Sequence, residues 1–456
     1  MSLLRSWRQD RLLRRVLRNS SYLFASNAIG AILSIITANL LGVAGFGLLG
    51  VITGFVAGIN RLFSFRMGDV VVKYMGEALA QNDTGRAAAV VKAAMLAEAL
   101  TSMAAFGFLA LVTPLAAEYL AQDASAAPLF LFYGLSILAN VTTETSTGVL
   151  QVTNHFRSQA LISLSQSMLV AVVVTAAYVT GGGLVMVLWG YLLGKMILGL
   201  GPVAAAFFWL PRVLGPGWLR VPLSLLPPRR ELVRFAVSTN FSGTINQVAR
   251  DSEVSWVSFF FRSTEVAGYY KAALAIITLI VMPINPFIST TYPEITRAFA
   301  AQAWDRLRSL LKRVSLIAAG WTGAVALGLL LFGQQVLFQT WTIFGRSFQI
   351  YGPEYLPAYP VLLVLLLGFG TANILFWNRP LLLSQGLADY VLKVSFWAML
   401  VKVALMFALL PWAGYLAEAA LLSAYFIVTV SLLVWRGLRQ INRAEEIKKM
   451  VHGFYG

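Results

Sequence analysis

Residues 21–41, SYLFASNAIGAILSIITANLL, form an uncharged, mostly apolar stretch of the length that crosses a bilayer. A helix needs about 20 apolar residues to cross a hydrocarbon core about 30 Å thick. Similar stretches recur along the chain, and hydropathy predicts about twelve spans. They lie near residues 20–41, 45–68, 89–113, 128–150, 160–180, 184–207, 233–260, 266–290, 313–335, 358–384, 392–412 and 415–436. The sequence therefore predicts an all-α polytopic membrane protein.

The composition agrees with this fold class. The chain has 456 residues, of which 58% are hydrophobic and 12% are charged, whereas soluble domains carry about 25% charged residues. It contains no Cys and two His, so we expect no disulfide, no metal site and no cofactor. The net charge of +16 is explained by the excess of Lys and Arg in cytoplasmic loops, so nucleic acid is not an expected partner.

The distribution of charge predicts the topology. Basic connections alternate with short or acidic ones, which places both termini in the cytoplasm. Residues 5–18 carry several Arg among apolar residues, a pattern typical of a helix lying on anionic lipids. A signal peptide is the alternative, but residues 21–41 exceed the usual apolar core of about 7–15 residues.

A proline-rich basic segment divides the predicted spans into two groups of six. We predict the following organisation: a cytoplasmic N-terminus at 1–19, an N-lobe at 20–210, a cytoplasmic linker at 211–231, a C-lobe at 232–436 and a basic tail at 437–456. A short motif recurs across the linker, as VAGFG at residues 43–47 and VAGYY at residues 266–270. Six spans per lobe give both copies one orientation, which is typical of transporters built from parallel repeats.

With YGPEYLPA at residues 351–358, these motifs make the chain similar to the multidrug/oligosaccharidyl-lipid/polysaccharide (MOP) exporter superfamily. Within it, the chain most resembles the bacterial polysaccharide transporters, the O-antigen and exopolysaccharide repeat-unit flippases. The resemblance implies two pseudo-symmetric six-helix lobes around a central cavity. It also implies alternating-access transport of an undecaprenyl-pyrophosphate-linked oligosaccharide across the bacterial inner membrane, without enzymatic chemistry. Polysaccharide polymerases and other glycan-assembly proteins are the implied partners.

Charged residues inside the predicted spans are the candidate site residues, since such charges face a partner or a watery cavity. Glu98 and Lys195 fall at similar depth in one lobe, and we predict a structural ion pair between them. Arg61 and Glu144 also share a depth. Three alternatives are open: the two pair, Arg61 faces the cavity and binds phosphate, or Arg61 snorkels to the inner headgroups. Glu144 is a candidate for ion coupling or gating, because it lies in the polar run TTETST.

The second lobe supplies the other candidates. Adjacent helical residues do not face each other, so Arg250 and Asp251 are expected to have different partners, with Lys271 a plausible contact for Asp251. Asp251 is the second candidate for ion coupling or gating. Lys402 has no evident acidic partner at its depth, which predicts that it lines a watery path. Arg61, Arg250, Lys271 and Lys402 are therefore the candidate substrate-binding cations.

Three other functions remain open. A multidrug or ion antiporter would have the same fold, although that branch commonly carries an acidic residue in its first span and residues 21–41 have none. A membrane polysaccharide polymerase or ligase handles the same lipids, but the connections here are short. A structural subunit of a glycan-assembly complex would tolerate neutralisation of the candidate cations.

Overall fold

The computed structural model describes residues 11–343 and 346–455, and this part of the chain is almost entirely helical. The predicted all-α fold class is confirmed. The helices are α1 Arg11–Phe63, α2 Met67–Ala80, α3 Thr84–Tyr119, α4 Ala127–Ala139, α5 Thr143–Val152, α6 Phe156–Thr180, α7 Leu184–Leu214, α8 Arg229–Asn246, α9 Glu253–Phe261, α10 Thr264–Val281, α11 Asn285–Ala300, α12 Trp304–Phe338, α13 Ala358–Ile374, α14 Asn378–Ser384, α15 Ala388–Ala413 and α16 Tyr415–Tyr455. Strands β1 Trp341–Ile343 and β2 Arg346–Phe348 pair antiparallel in a small hairpin.

Within the described residues, ten helical segments are long and apolar enough to cross a membrane. The difference from the twelve predicted spans has two sources. The first two predicted spans are two helices that meet at a kink at Gly42, where the backbone is not helical, and their combined run Ala28–Phe63 counts as one of the ten segments. The seventh predicted span is interrupted and is not among the ten.

The kink in α1 depends on Gly42, whose φ is 64° and ψ is 179°. A side chain would make this left-handed conformation costly, whereas glycine adopts it readily. The kink falls in the short gap between the first two predicted spans, so hydropathy located the point at which one helix ends and the next begins.

Four predicted spans are broken well inside their predicted bounds: the fourth, seventh, eighth and tenth. In the eighth, residues 282–284 separate α10 from α11. Residues 140–142 separate α4 from α5, and residues 375–377 separate α13 from α14. In the seventh predicted span, a turn of π-helix at Gln247–Asp251 follows α8 and precedes α9. Such π-turns occur frequently at functional sites.

The breaks recur in the order expected of an internal repeat. Short helix α2 is followed by a turn with Asn82 at a φ of 58°, and short helix α11 by a turn with Gln302 at a φ of 51°. A long helix follows each turn, and a helix broken after its first part comes next. This common order supports the predicted duplication more strongly than the five-residue motif alone.

The chain divides into two compact units. The first unit is Ala25–Lys271, and the second contains Ala272–Gly456 with the start of the chain. The first unit includes α8, the π-turn and α9, and hydrogen bonds tie this segment to the preceding helices: Asn240 Nδ2 donates to the Leu62 carbonyl at 3.1 Å, and Ser258 Oγ donates to the Leu120 carbonyl at 2.5 Å. The lobe boundaries predicted from the order of spans remain predictions.

Each unit has its own apolar core. In the first unit, α2 and α3 pack with α7 around residues such as Val71, Met75 and Leu210, and in the second α11 and α12 pack around residues such as Ile295 and Leu307. Many large apolar side chains are nevertheless exposed, which is costly in water and expected for helices that face lipid.

Candidate functional site

A cavity of about 490 Å³ lies within the first unit. It is formed by the end of α1, by α4 and α5, by the middle of α7, and by α8 with the π-turn. We call it the cationic pocket, and its lining residues are Val56, Ala57, Asn60, Arg61, Ser64, Arg66, Tyr133, Ser136, Ile137, Asn140, Glu144, Lys195, Gly243, Asn246, Arg250 and Asp251.

The lining combines an excess of positive charge with neutral hydrogen-bonding groups. Four lining side chains are basic and two are acidic, which leaves a formal excess of two positive charges. Three asparagines, Asn60, Asn140 and Asn246, also line the cavity. Amides both donate and accept hydrogen bonds, so the pocket can bind an anion and neighbouring hydroxyl groups together.

Asp251 lies between two arginines in this pocket. Its Oδ2 accepts from Arg61 Nη1, and its Oδ1 lies 3.3 Å from Arg250 Nε. The side chains of Arg61, Arg250 and Asp251 are 50%, 40% and 32% exposed, respectively. One carboxylate therefore pairs with two arginines and offsets one of their two charges, while all three side chains stay partly exposed.

This arrangement corrects two expectations from the sequence. Arg250 and Asp251 were expected to have different partners, but they belong to the π-turn, which does not keep α-helical spacing. Arg61 was considered as a partner of Glu144, but it pairs with Asp251. Both Arg61 and Glu144 nevertheless line the pocket.

Lys271 does not pair with Asp251 either. Its Nζ lies 4.2 Å from the centre of the Phe46 ring, and its side chain passes so close to Gly50 that a Cβ there would lie 2.6 Å from Lys271 Cδ. The Lys271 ammonium has no hydrogen-bond partner within the described part of the chain. The Lys271 ammonium lies over the Phe46 ring. Lys271 is therefore not among the residues that line the cationic pocket.

The predicted Glu98–Lys195 pair is also corrected. The Glu98 carboxylate accepts from two backbone amides at the start of α5, that of Glu144 at 2.7 Å and that of Thr145 at 2.9 Å. A helix N-terminus has unpaired N–H groups and a partial positive charge, so it replaces the expected cation. Lys195 lines the cationic pocket and makes no ion pair with any residue that the structure describes.

Glu144 is held in place by a separate contact. Ser64 Oγ donates to Glu144 Oε1 at 2.7 Å, which ties α5 to the end of α1. A second cavity of about 190 Å³ adjoins this contact, and it shares Asn60, Ser64, Asn140 and Glu144 with the cationic pocket. Glu98 lines the smaller cavity only.

Lys402 lies in the second unit and is paired, contrary to the expectation from the sequence. Its Nζ is 2.8 Å from Glu418 Oε1, and the two side chains are 2% and 0% exposed. Glu418 belongs to the first turn of α16, and depth estimates along separate helices did not bring the two residues together. Lys402 therefore contributes to a buried ion pair and does not line a watery path.

Sequence reasoning missed several pocket residues. Lys195 was assigned to a structural pair, and the asparagines and Tyr133 were not singled out. The signal that could have found them is the presence of uncharged amides inside apolar spans, where each must find a partner or water. Within the described residues, no group of three or more His, Cys, Asp or Glu is placed to hold a metal ion.

Comparison with known proteins identifies the class. A family model described as polysaccharide biosynthesis protein matches residues 13–299. The chain therefore belongs to the polysaccharide biosynthesis protein family. No curated protein sequence gives a significant match.

Solved structures show the same fold. An inward-facing multidrug-resistance MATE transporter of the MOP superfamily is 16% identical, with a TM-score of 0.67, over 92% of this chain and 96% of that chain. A MOP superfamily transporter from Pyrococcus furiosus is 15% identical, with a TM-score of 0.63, over 94% of this chain and 95% of that chain. The fold is thus that of the MOP transporters, and with ten apolar helical segments long enough to cross a membrane among the described residues the chain is a multi-pass membrane protein.

Proposed function

We propose that this protein is a flippase that moves an undecaprenyl-pyrophosphate-linked oligosaccharide repeat unit across the bacterial inner membrane by alternating access. The product would supply O-antigen or exopolysaccharide synthesis. The observation that carries the proposal is the cationic pocket, with its excess of two positive charges and its lining of amides and hydroxyls. The family's description as polysaccharide biosynthesis protein agrees with a glycan cargo.

The pocket supplies the charges and hydrogen-bonding groups that a pyrophosphate-linked glycan would lack in lipid. A pyrophosphate and sugar hydroxyls would be desolvated in hydrocarbon, at a cost of several kcal/mol for each unpaired group. Arg61 and Arg250 can each bind a phosphate through two parallel hydrogen bonds, and Lys195 can act as a point charge. Asn60, Asn140 and Asn246 can bind hydroxyls of the adjoining sugar. A cavity of about 490 Å³ has the size of a small-molecule site, so it suits the pyrophosphate and nearest sugar, with the prenyl chain left in lipid.

This assignment revises the set of substrate-binding cations. Arg61 and Arg250 stay in it, Lys195 joins it, and Lys271 and Lys402 leave it because neither lines the pocket. The loop charges support two further parts of this proposal: both termini are cytoplasmic, and the N-terminus contacts anionic lipids. The family resemblance supports a third part, that a polysaccharide polymerase is a partner.

A multidrug or ion antiporter is the alternative with the same fold. The charge of the pocket argues against organic cations as cargo, because four basic side chains would repel them. The MOP superfamily transporter from Pyrococcus furiosus has a binding pocket of reversed polarity, which suggests a different function for that protein. An enzyme that polymerises or ligates the glycan is less well supported, because the fold matches are to transporters.

The proposal is tested by the sidedness of the lipid-linked glycan in cells. Arg61→Gln and Arg250→Gln should each cause complete repeat units to accumulate on the inner face, protected from an outer-face enzyme. Arg212→Gln is the matched control, because Arg212 packs on the Phe208 ring and does not line the pocket. Loss of complete units would indicate a biosynthetic enzyme. Normal amount and sidedness in both pocket variants, at wild-type abundance, would reject the flippase assignment.

A further inference from the structure

We propose that Asp251 is an internal counter-anion, which holds Arg61 and Arg250 while the pocket is empty and is displaced when a diphosphate binds. This inference rests on the proposed function and adds to it a step that links cargo binding to the π-turn. The observation behind it is that a single carboxylate contacts two of the three arginines that line the pocket.

The geometry makes Asp251 a substitute for phosphate. Its two oxygens contact different arginines, Oδ2 that of Arg61 and Oδ1 that of Arg250. A diphosphate offers more oxygens and more negative charge, so it can satisfy both guanidinium groups with more hydrogen bonds. It would thus compete with Asp251 for the same donors.

Exposure of the groups makes the exchange feasible. The side chains of Arg61 and Asp251 are half and about one-third exposed, and exposed ion pairs are weak because water screens them. A buried pair such as Lys402–Glu418, at 2% and 0% exposure, would not exchange in this way. Asp251 therefore holds Arg61 and Arg250 in place through a contact that a stronger anion can break.

Release of Asp251 would remove one side-chain tie between the π-turn and α1, its ion pair with Arg61. Asp251 ends the π-turn, whereas Arg61 lies in the last turn of α1. Asn240 on α8 makes a second tie, to the Leu62 carbonyl at 3.1 Å. Cargo binding would leave the Asn240 tie and the packing of Gln247 beside Gly58 intact. It would therefore loosen the backbone at the Asp251 end of the π-turn.

The test is binding of inorganic pyrophosphate to the purified full-length protein in detergent, measured by calorimetry. Asp251→Asn removes the competing charge while keeping the shape of the side chain. We expect pyrophosphate to bind this variant about five- to thirtyfold more tightly than wild type, from loss of a weak exposed pair and of nearby like-charge repulsion.

Glu144→Gln is the matched control. Glu144 lines the same pocket, but its contact is with the Ser64 hydroxyl and not with an arginine. Its neutralisation lifts only repulsion, so the gain should be at most about fivefold and smaller than that of Asp251→Asn.

The outcomes separate the two proposals. Equal gains in both variants, or no gain in Asp251→Asn, would overturn the counter-anion role while leaving the site intact. Absence of pyrophosphate binding in wild type and in both variants would overturn the cationic site and, with it, the proposed function.

A second measurement uses wild-type protein, so it does not depend on the folding of a variant. Saturating pyrophosphate should increase hydrogen exchange of the backbone amides in Gln247–Asp251. Unchanged or slower exchange there, with pyrophosphate bound, would overturn the proposed release.

Discussion

Replacement of Lys402 by Met should destabilise the second unit, because the Glu418 carboxylate would lose its partner in a site that excludes water. The Lys402 Nζ is 2.8 Å from Glu418 Oε1, and the two side chains are 2% and 0% exposed. Breaking a buried ion pair by removing one partner costs about 3–5 kcal/mol, since the other charge stays buried. Replacement of Glu418 alone by Met should cost a similar amount.

The double substitution gives the decisive comparison. With both charges gone and the volume largely kept, Lys402→Met with Glu418→Met should unfold within about 1 kcal/mol of wild type or be stabilised. Apparent melting temperatures in detergent, measured by intrinsic tryptophan fluorescence, report these differences. The two single variants should melt several degrees lower than wild type, whereas the double variant should not.

Two results would refute this reasoning. A single Lys402→Met variant that is as stable as wild type would refute the expected cost, because it would mean that the remaining Glu418 carboxylate has another compensating partner or is not charged. A double variant destabilised by the sum of both single effects would mean that the two residues do not interact. Transport in cells adds one further distinction: a stable double variant without transport would assign Lys402 a direct role with the cargo, contrary to its buried position.

Three further predictions concern the first unit. Glu98→Ala should lower stability by about 2–4 kcal/mol, because two backbone amides lose a charged acceptor, and melting curves that match wild type would contradict this. Gly47→Ala should cost about 1–3 kcal/mol by overpacking, since its Cβ would meet the Thr264 carbonyl; the control Gly76→Ala, which has open space, should be neutral or stabilising by up to about 1 kcal/mol in the same assay. Lys195→Met should weaken pyrophosphate binding by about tenfold and reduce its dependence on salt, and an unchanged dissociation constant would remove Lys195 from the site.

Hydropathy predicts the helices well because the length and apolarity of a span are set by the bilayer. It does not predict where a span breaks. Residues 140–142 lie within a segment, Ala124–Val152, that is apolar enough on average to cross a membrane, and the amides that follow the break are bound by Glu98. Hydropathy likewise does not predict the π-turn at Gln247–Asp251, because an average over a window carries no information on backbone hydrogen bonding.

For the site residues, the sequence predicted which charged residues belong to the site but not which partners they contact. Arg61, Glu144, Arg250 and Asp251 were predicted as candidates from charge and depth, and all four line one pocket. Their partners were not predictable, because depth follows from the rise per residue whereas rotation about the helix axis is set by packing.

The misassigned pairs have specific physical causes. Glu98 binds backbone amides, which an inventory of charged side chains does not include. Lys271 packs over an aromatic ring, and Lys402 reaches an acid in the first turn of the next helix. Long flexible side chains make such partners accessible over a wide range of apparent depths.

The contact between Glu98 and the start of α5 also bears on the order in which the chain is inserted during synthesis. Unpaired amides at the break before α5 would cost several kcal/mol in hydrocarbon, so α4 and α5 are poorly suited to enter lipid by themselves. Their acceptor is Glu98 on α3, which leaves the ribosome earlier. When the broken segment emerges, the carboxylate that it needs is already in the membrane, and N-to-C synthesis thus delivers the acceptor before the donors.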